Sequence, residues 1–329
     1  MLQVTVFSAK KYDIEYLNKF NASDRLVFKY IESRLSAETV TLAKGAFAVC
    51  VFVNDIIDNE VLNQLNSFGV NIIALRCAGY NNIELTTAKK LGFTLCRVPV
   101  YSPEAVAEHT VGLMLTLSRK YHKAYNRVRE GNFSLDGLVG FNLHHKTVGI
   151  IGTGNIGLAT IKILRGFGCR IICTDPYPND NVIKEGGTYV TLTELLTTAD
   201  IISLHCPLNK ETKHLINTQT IDLMKNGVML INTSRGALIE SQALIGALKA
   251  EKISLLGLDV YELESEIFFE DLSETIINDD VFERLLTFPN VLITGHQGFF
   301  TQEALETIAK TTINNLLSLS KGELSGNEL

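Results

Sequence analysis

The stretch Val148-Gly149-Ile150-Ile151-Gly152-Thr153-Gly154-Asn155-Ile156-Gly157 decides how this chain is read. Its first four residues form a short, mostly β-branched apolar run, which predicts a buried strand. Leu158 to Phe167 follows with helical spacing. A GxGxxG pattern is weak on its own, but between a strand and a helix it marks a dinucleotide-binding turn. Gly152 permits the tight turn, Gly154 lets the backbone approach a pyrophosphate, and Gly157 lets helix and strand pack closely. The pyrophosphate then sits on a helix N-terminus, where unpaired N–H groups and the helix dipole favour it. The next strand, Arg170-Ile171-Ile172-Cys173-Thr174, ends at Asp175, 18 residues beyond Gly157, where a carboxylate receives ribose hydroxyls. Asp175 repels a 2′-phosphate and no arginine occurs from Pro176 to Asp180, so the expected cofactor is NAD rather than NADP.

Outward from this turn, short apolar runs alternate with amphipathic stretches, the pattern of βαβ units and parallel sheets. The predicted fold class is therefore α/β, doubly wound. Strands are expected at 147–151, 169–174, 201–204, 228–231, 254–260 and 291–294, making a six-stranded sheet. Five more, at 4–7, 26–30, 46–53, 72–75 and 93–98, suffice for a smaller sheet. Helical spacing at Leu85, Ala88 and Leu91 closes at Gly92, a C-terminal cap. Glu104 to Arg129 reads as one long helix between the two strand series, and Gln302 to Leu316 as a terminal amphipathic helix. The length of 329 residues fits about two domains at roughly 150 residues each.

Composition narrows the function. With 46% hydrophobic and 20% charged residues the chain is neither disordered nor fibrous. Its longest apolar run, Ala46 to Val53, is eight residues against roughly 20 for a membrane span. The first residues carry no secretory pattern, so a cytoplasmic location is expected. A net charge of −6 gives no reason to bind nucleic acid. The six cysteines are scattered without a CxxC, so neither a disulfide framework nor a zinc site is expected, and no histidine has metal-site spacing. Glu262 to Asp280 holds eight acidic residues and no Lys or Arg, most simply a solvated loop rather than a calcium site.

In an open α/β sheet, ligands bind beyond the carboxyl ends of the strands. Three strands there lead into Asn232-Thr233-Ser234-Arg235-Gly236, into Asp259-Val260-Tyr261-Glu262-Leu263-Glu264, and into Gly295-His296-Gln297. Arginine's planar fork suits a carboxylate and an adjacent ketone. Histidine suits proton donation near neutrality, and a carboxylate beside it fixes its orientation. The residues alone leave Glu262, Glu264 and Glu266 open for that last task.

These residues, together with Arg76-Cys77-Ala78-Gly79-Tyr80-Asn81-Asn82 and His205-Cys206-Pro207-Leu208, resemble the D-isomer-specific 2-hydroxyacid dehydrogenases over essentially the whole chain. The resemblance implies Arg235 as the catalytic arginine, Glu264 as the orienting carboxylate and His296 as the acid/base. It implies that the Ala78 and Gly79 amides hold the substrate carboxylate and that Tyr101 reaches over the site. Cofactor contacts are expected from Gly152, Gly154, Asn155, Ile156, Gly157, Asp175, Cys206, Pro207, Thr233, Ser234 and Asp259. Cys206 departs from the small apolar residue common in relatives, a packing change.

The resemblance further implies two doubly wound domains, Rossmann-like and flavodoxin-like, with a cleft between them. Residues 1–100 plus 300–329 form the substrate domain and 101–299 the NAD domain. No basic residue follows Arg76 up to Asn82, and Phe299-Phe300 suit a small apolar side chain, which points to pyruvate and D-lactate as the substrate pair. The alternatives are a dehydrogenase of larger 2-oxo acids and a dinucleotide-sensing protein without catalysis. A homodimer or homotetramer is expected, with the helix after Pro103 implicated in pairing.

Overall fold

The computed structural model describes residues Met1–Leu329, the side chain of Glu266 lying outside the described residues. In chain order it forms β1 (Leu2–Val6), α1 (Lys11–Phe20), β2 (Leu26–Tyr30), β3 (Ala48–Val51), α2 (Asn59–Ser67), β4 (Ile72–Leu75), α3 (Leu85–Lys90) and β5 (Thr94–Cys96). Next come α4 (Pro103–Arg119), α5 (Tyr121–Arg129), β6 (Thr147–Ile151), α6 (Asn155–Gly166), β7 (Arg170–Thr174), α7 (Asp180–Lys184), β8 (Thr188–Tyr189) and α8 (Leu192–Thr198). The remainder is β9 (Ile201–Leu204), α9 (Thr218–Leu223), β10 (Val228–Asn232), α10 (Ser241–Lys249), β11 (Ile253–Leu258), α11 (Asp280–Leu286), β12 (Val291–Ile293) and α12 (Gln302–Ser320). Two compact units result: Met1–Ser102 with Phe300–Leu329, and Pro103–Phe299.

The first unit is a five-stranded parallel sheet in the order β2-β1-β3-β4-β5, the flavodoxin-like order, with its switch point between β1 and β3. Two side-chain bonds mark that point. The Ser8 hydroxyl, after β1, donates to Asp55 Oδ1 at 2.8 Å, and the Phe52 amide, after β3, donates to Asp55 Oδ2 at 2.6 Å. Arg76, at the end of β4, is buried and paired with Asp13 in α1 at 2.9 Å. The terminal helix α12 belongs to this unit, its start capped by Thr301, which accepts the Ala304 amide. Ala309, Ile313 and Leu316 on α12 complete the core made by Val4, Val6 and Leu17. Burying a branched aliphatic side chain of this kind contributes about 1.5–3 kcal/mol.

The second unit is a seven-stranded parallel sheet, β12-β11-β10-β9-β6-β7-β8. From β8 across to β12 this is the doubly wound nucleotide-binding order, and its switch point falls between β6 and β9. All five residues of β6 are buried, as a central parallel strand requires. One core covers α8 to α11 on one face, and a second joins α4 and α6 to the other. The seventh strand, β8, is two residues long and pairs at the edge with Ile172 and Cys173, too short to leave a periodicity in the sequence.

The expected single helix from Glu104 to Arg129 is not continuous. Lys120 takes a left-handed conformation (φ 56°, ψ 37°), ending α4 at Arg119 and restarting the chain as α5. The cause is tertiary. The Lys120 ammonium donates to the Gly137 carbonyl, and Gly140 lies so close that a Cβ there would stand 2.0 Å from the Ser118 carbonyl oxygen. The segment after α5 thus packs on the end of α4 where helix would otherwise continue.

Candidate active site

Because every strand of the second unit runs parallel, the loops after β6, β7, β9, β10, β11 and β12 all leave the same sheet edge. After β6, Gly152 has φ 96°, and a Cβ would lie 2.5 Å from the Cys206 amide nitrogen, so the β6 and β9 loops touch at the switch point only because residue 152 is glycine. A Cβ on Gly157 would meet the Gly152 carbonyl oxygen at 2.2 Å. Gly154 differs: it begins α6 with φ −65° and nothing lies within 4 Å of its Cβ position. α6 has no side-chain cap, so the first-turn N–H groups at Asn155, Ile156 and Gly157 have no capping side chain as acceptor. That cradle fits a dinucleotide pyrophosphate.

Asp175 lies at the end of β7. Its Oδ2 accepts the Thr153 amide at 2.6 Å and the Thr153 hydroxyl at 3.1 Å, and its Oδ1 accepts the Tyr177 amide at 2.8 Å. It therefore ties the glycine turn in place and caps the turn after β7, with acceptor capacity left for ribose hydroxyls. Cys206 is buried, and burial pushes its thiol up to about 11, the behaviour of a packing residue. Its carbonyl accepts the Ser234 hydroxyl at 2.7 Å, linking the β9 and β10 loops, while Pro207 beside it is exposed. His205 sits with Nε2 2.9 Å from the Ser203 hydroxyl, and burial pushes the imidazole down to about 4, so it is neutral at neutral pH.

The loop after β10 is organised by buried Asn232. Its side-chain oxygen accepts the Ser234 amide at 3.0 Å and its NH₂ donates to the Arg235 carbonyl at 2.8 Å. Thr233 lies 2.8 Å from Thr110 of α4, hydroxyl to hydroxyl. Arg235 makes one side-chain hydrogen bond, from Nη1 to the Ser234 carbonyl at 2.7 Å, and no ion pair among the described residues. The rest of the guanidinium fork is open to a carboxylate. Gly236 brings this loop against the next, since a Cβ would stand 2.0 Å from the Tyr261 carbonyl carbon.

After β11, the three glutamates separate. Glu262 Oε1 lies 2.5 Å from His214 Nε2 and Oε2 accepts the Ser241 amide at 3.2 Å. Although burial acts to raise it, the His214 and Ser241 hydrogen bonds hold this carboxyl below the usual carboxylate range. Glu264 instead places Oε1 2.9 Å from His296 Nδ1, while Oε2 accepts the Tyr261 amide at 2.9 Å. The side chain of Glu266 lies outside the described residues. His296 itself is left-handed (φ 53°) and its ring lies 5.6 Å from that of Phe269. Its Nε2 makes no hydrogen bond among the described residues. The imidazole is thus anchored through one nitrogen and presents the other.

Sequence reasoning missed the support behind this loop. Asp259 Oδ1 accepts the Thr294 hydroxyl at 2.6 Å and the Gln297 amide at 2.9 Å, and Oδ2 accepts the Gly298 amide at 2.7 Å. His109, on α4, lies 3.2 Å from Asp259 Oδ1 and 3.1 Å from the Thr294 hydroxyl. Burial acts to raise the Asp259 carboxyl, and the hydrogen bonds from His109, Thr294 and Gln297 more than reverse that. No motif joins His109 to Asp259, because 150 residues separate them along the chain (259 − 109).

In the first unit, Ala78 and Gly79 follow β4. Among the described residues neither N–H donates to a protein acceptor, whereas the Ala78 carbonyl accepts from Arg97 at 2.8 Å. Tyr101 is half-buried in the same unit, and Phe300 packs edge-on against Tyr12 at 4.9 Å between ring centres. Among the described residues no three His, Cys, Asp or Glu side chains are grouped to hold a metal ion, and no helix is long and apolar enough to cross a membrane.

Comparison with known proteins bears on this arrangement. The family model described as D-isomer specific 2-hydroxyacid dehydrogenase, NAD binding domain, matches residues 111–298. The chain is similar to the D-lactate dehydrogenase of Escherichia coli strain K12, at 52% identity over 328 residues and 100% of both chains. Among solved structures it is similar to the apo-structure of D-lactate dehydrogenase from Escherichia coli, with a TM-score of 0.90, 51% identity and 100% of both chains covered. It is also similar to the D-lactate dehydrogenase from Aquifex aeolicus complexed with NAD and lactic acid, with a TM-score of 0.89, 34% identity, and 99% of this chain and 98% of that one covered.

Proposed function

This chain belongs to the D-isomer specific 2-hydroxyacid dehydrogenase family, and on that premise we propose that it interconverts pyruvate and D-lactate with NAD as the cofactor. The single observation that carries the chemistry is the Glu264–His296 pair, which anchors the imidazole through Nδ1 at 2.9 Å and leaves Nε2 to exchange a proton with substrate. When bound, the nicotinamide supplies or accepts a hydride. His296 gives its proton to the carbonyl oxygen as pyruvate is reduced and takes it back in the reverse direction. Glu264 fixes the ring's orientation through Nδ1. Arg235, with its fork open, binds the carboxylate and polarises the ketone.

In the first unit, the Ala78 and Gly79 amides receive the substrate carboxylate and Tyr101 contributes to substrate binding. The cofactor is held by Gly152, Gly154, Asn155, Ile156, Gly157 and Asp175, with Cys206, Pro207, Thr233, Ser234 and Asp259 around it. The domain division follows the two compact units, 1–102 plus 300–329 and 103–299, with Tyr101 in the first. A homodimer or homotetramer is supported by α5, which buries no residue of its own, and by the exposed Tyr121, Tyr125, Val128, Phe133, Leu135 and Val139 in and after it. Six thiols and no disulfide framework support a reducing, cytoplasmic compartment.

The test is NADH oxidation with pyruvate, 2-oxobutyrate, phenylpyruvate and hydroxypyruvate, followed by chiral analysis of the product. The expected result is highest kcat/KM for pyruvate and D-lactate as product. A preference for the larger acids selects the other dehydrogenase reading. Absence of turnover selects a dinucleotide-binding protein, and L-lactate overturns the proposal.

A further inference from the structure

Two carbonyls in the turn after β4 are held from the strand-end segment beside it. The Val98 amide donates to the Cys77 carbonyl at 3.2 Å, and Arg97 Nη1 donates to the Ala78 carbonyl at 2.8 Å. In a planar trans peptide, the C=O of one residue and the N–H of the next point in opposite directions. Fixing the Cys77 carbonyl therefore aims the Ala78 N–H, and fixing the Ala78 carbonyl aims the Gly79 N–H. Both N–H groups end on the far side of the turn, with no protein acceptor among the described residues. The first bond is backbone to backbone. The second depends on one side chain.

Arg97 is itself held at several points. Its amide donates to the Asn327 carbonyl at 3.0 Å, and the buried Asn315 of α12 donates to the Arg97 carbonyl at 2.9 Å. Asn327 in turn donates to Asn315 Oδ1 at 2.8 Å. The chain end runs antiparallel to β5, through a bridge between Cys96 and Glu328 and a bond from the Leu329 amide to the Leu95 carbonyl at 3.0 Å. The guanidinium also lies 5.2 Å over the ring of Tyr80, a second contact between Arg97 and the turn. A cation on the Ala78 carbonyl also polarises that peptide and strengthens its N–H as a donor.

We propose that Arg97 is a positioning residue for substrate: it sets and polarises the Gly79 amide as an anion donor without touching the substrate itself. The proposal rests on the reading that the Ala78 and Gly79 amides receive the substrate carboxylate. It accounts for an arginine whose charge faces a carbonyl and an aromatic ring rather than a carboxylate.

The experiment compares the full-length enzyme with Arg97→Ala, Arg97→Lys and Gly79→Pro. It measures KM for pyruvate, competitive inhibition by oxamate as a carboxylate probe, KM for NADH, kcat and the thermal midpoint. Loss of one well-aimed, charge-reinforced donor predicts about a 10- to 100-fold rise in pyruvate KM and oxamate Ki for Arg97→Ala. NADH KM should stay within about twofold, a split that general damage to the fold would not produce. Arg97→Lys keeps the stem and charge, remains a fair test if the alanine variant folds poorly, and should show a smaller rise in the same constants. Added guanidinium ion should partly restore pyruvate KM in Arg97→Ala. Unchanged pyruvate KM and oxamate Ki in Arg97→Ala, with Gly79→Pro impaired for both, overturns the role of Arg97 alone. Unchanged constants in Gly79→Pro overturn the carboxylate reading and the proposal with it.

Discussion

The three glycines of the nucleotide turn separate folding from cofactor binding, and Gly154→Ala isolates the second. Gly154 sits at φ −65° and ψ −166°, which any residue adopts, and its Cβ position has nothing within 4 Å. Alanine there should leave stability unchanged or raise it by about 0.4–1 kcal/mol through the unfolded chain. On the proposed cofactor site this empty space takes the pyrophosphate, so the methyl should displace it from the α6 amides. Losing one such charge-assisted bond, about 1.5–3 kcal/mol, raises NADH KM roughly 10- to 100-fold. Gly152→Ala is the opposite case: at φ 96°, with a Cβ 2.5 Å from the Cys206 nitrogen and 2.6 Å from the His205 carbonyl carbon, the fold itself must shift. Backbone strain and overpacking together cost about 2–5 kcal/mol. Thermal unfolding of the apo-protein and NADH fluorescence titration read the two effects separately. If Gly154→Ala binds NADH normally, or melts as early as Gly152→Ala, the assignment of the cradle is wrong.

Further predictions concern the remaining loops. Gly236→Ala forces its Cβ against the Tyr261 carbonyl, now 2.0 Å from that position; a displacement of about 1 Å between the Arg235 and Glu264 loops should lower kcat about 100-fold, and near-normal kcat would show that the contact is slack. Arg235→Ala and His296→Ala should each remove several kcal/mol of transition-state stabilisation, and kcat/KM for pyruvate close to the parent in either removes that residue from the mechanism. Asp175→Ser should raise NADH KM and narrow the preference over NADPH; because it also frees the Thr153 amide, both cofactors should bind less well than NADH does to the parent, and an unchanged preference refutes the ribose contact. His205, neutral in the fold down to about pH 4, protonates in the unfolded chain near pH 6.5, so stability should be full above pH 6.5 and fall as pH drops towards 4, by about 2 kcal/mol at pH 5. Melting His205→Asn at pH 7 and pH 5 checks this, since the variant should lose less stability on acidification than the parent.

What the sequence disclosed followed from local chemistry. Gly92 was readable as a helix end, and it takes φ 77° after Leu91. The glycine turn was readable because strand, turn and helix are contiguous. The break at Lys120 was not, since lysine is a good helix former and the cause, the segment returning against Ser118, lies some twenty residues away along the chain. Glu262 and Glu264 were indistinguishable for the same reason. They share one loop and one chemistry, and only pairing with His214 or His296, 48 and 32 residues away, gives them different work. The family resemblance implied Glu264; in the structure Glu264 lies beside His296 and Glu262 beside His214.

The position of His296 shows how strain and charge are balanced at this edge of the sheet. A non-glycine residue in the left-handed region costs about 1–2 kcal/mol, and nothing in the dipeptide Gly295-His296 relieves it. Opposing it, the Asp259 carboxylate accepts three donors from Thr294, Gln297 and Gly298, bracketing His296 on both sides. At about 1.5–3 kcal/mol for each bond to a charged group, the bracket outweighs the strain several-fold, provided Asp259 stays ionised. The bonds from His109, Thr294 and Gln297 ensure that by holding its carboxyl below the ordinary range against the pull of burial. Gly298 keeps the bracket unstrained, because a Cβ there would stand 3.0 Å from Asp259 Oδ2 and the carboxylate would have to give by a few tenths of an ångström. One carboxylate thus fixes the backbone around His296 and a second, Glu264, fixes its ring. In a chain of net charge −6, both of these acids are engaged in orienting donors of the chain itself.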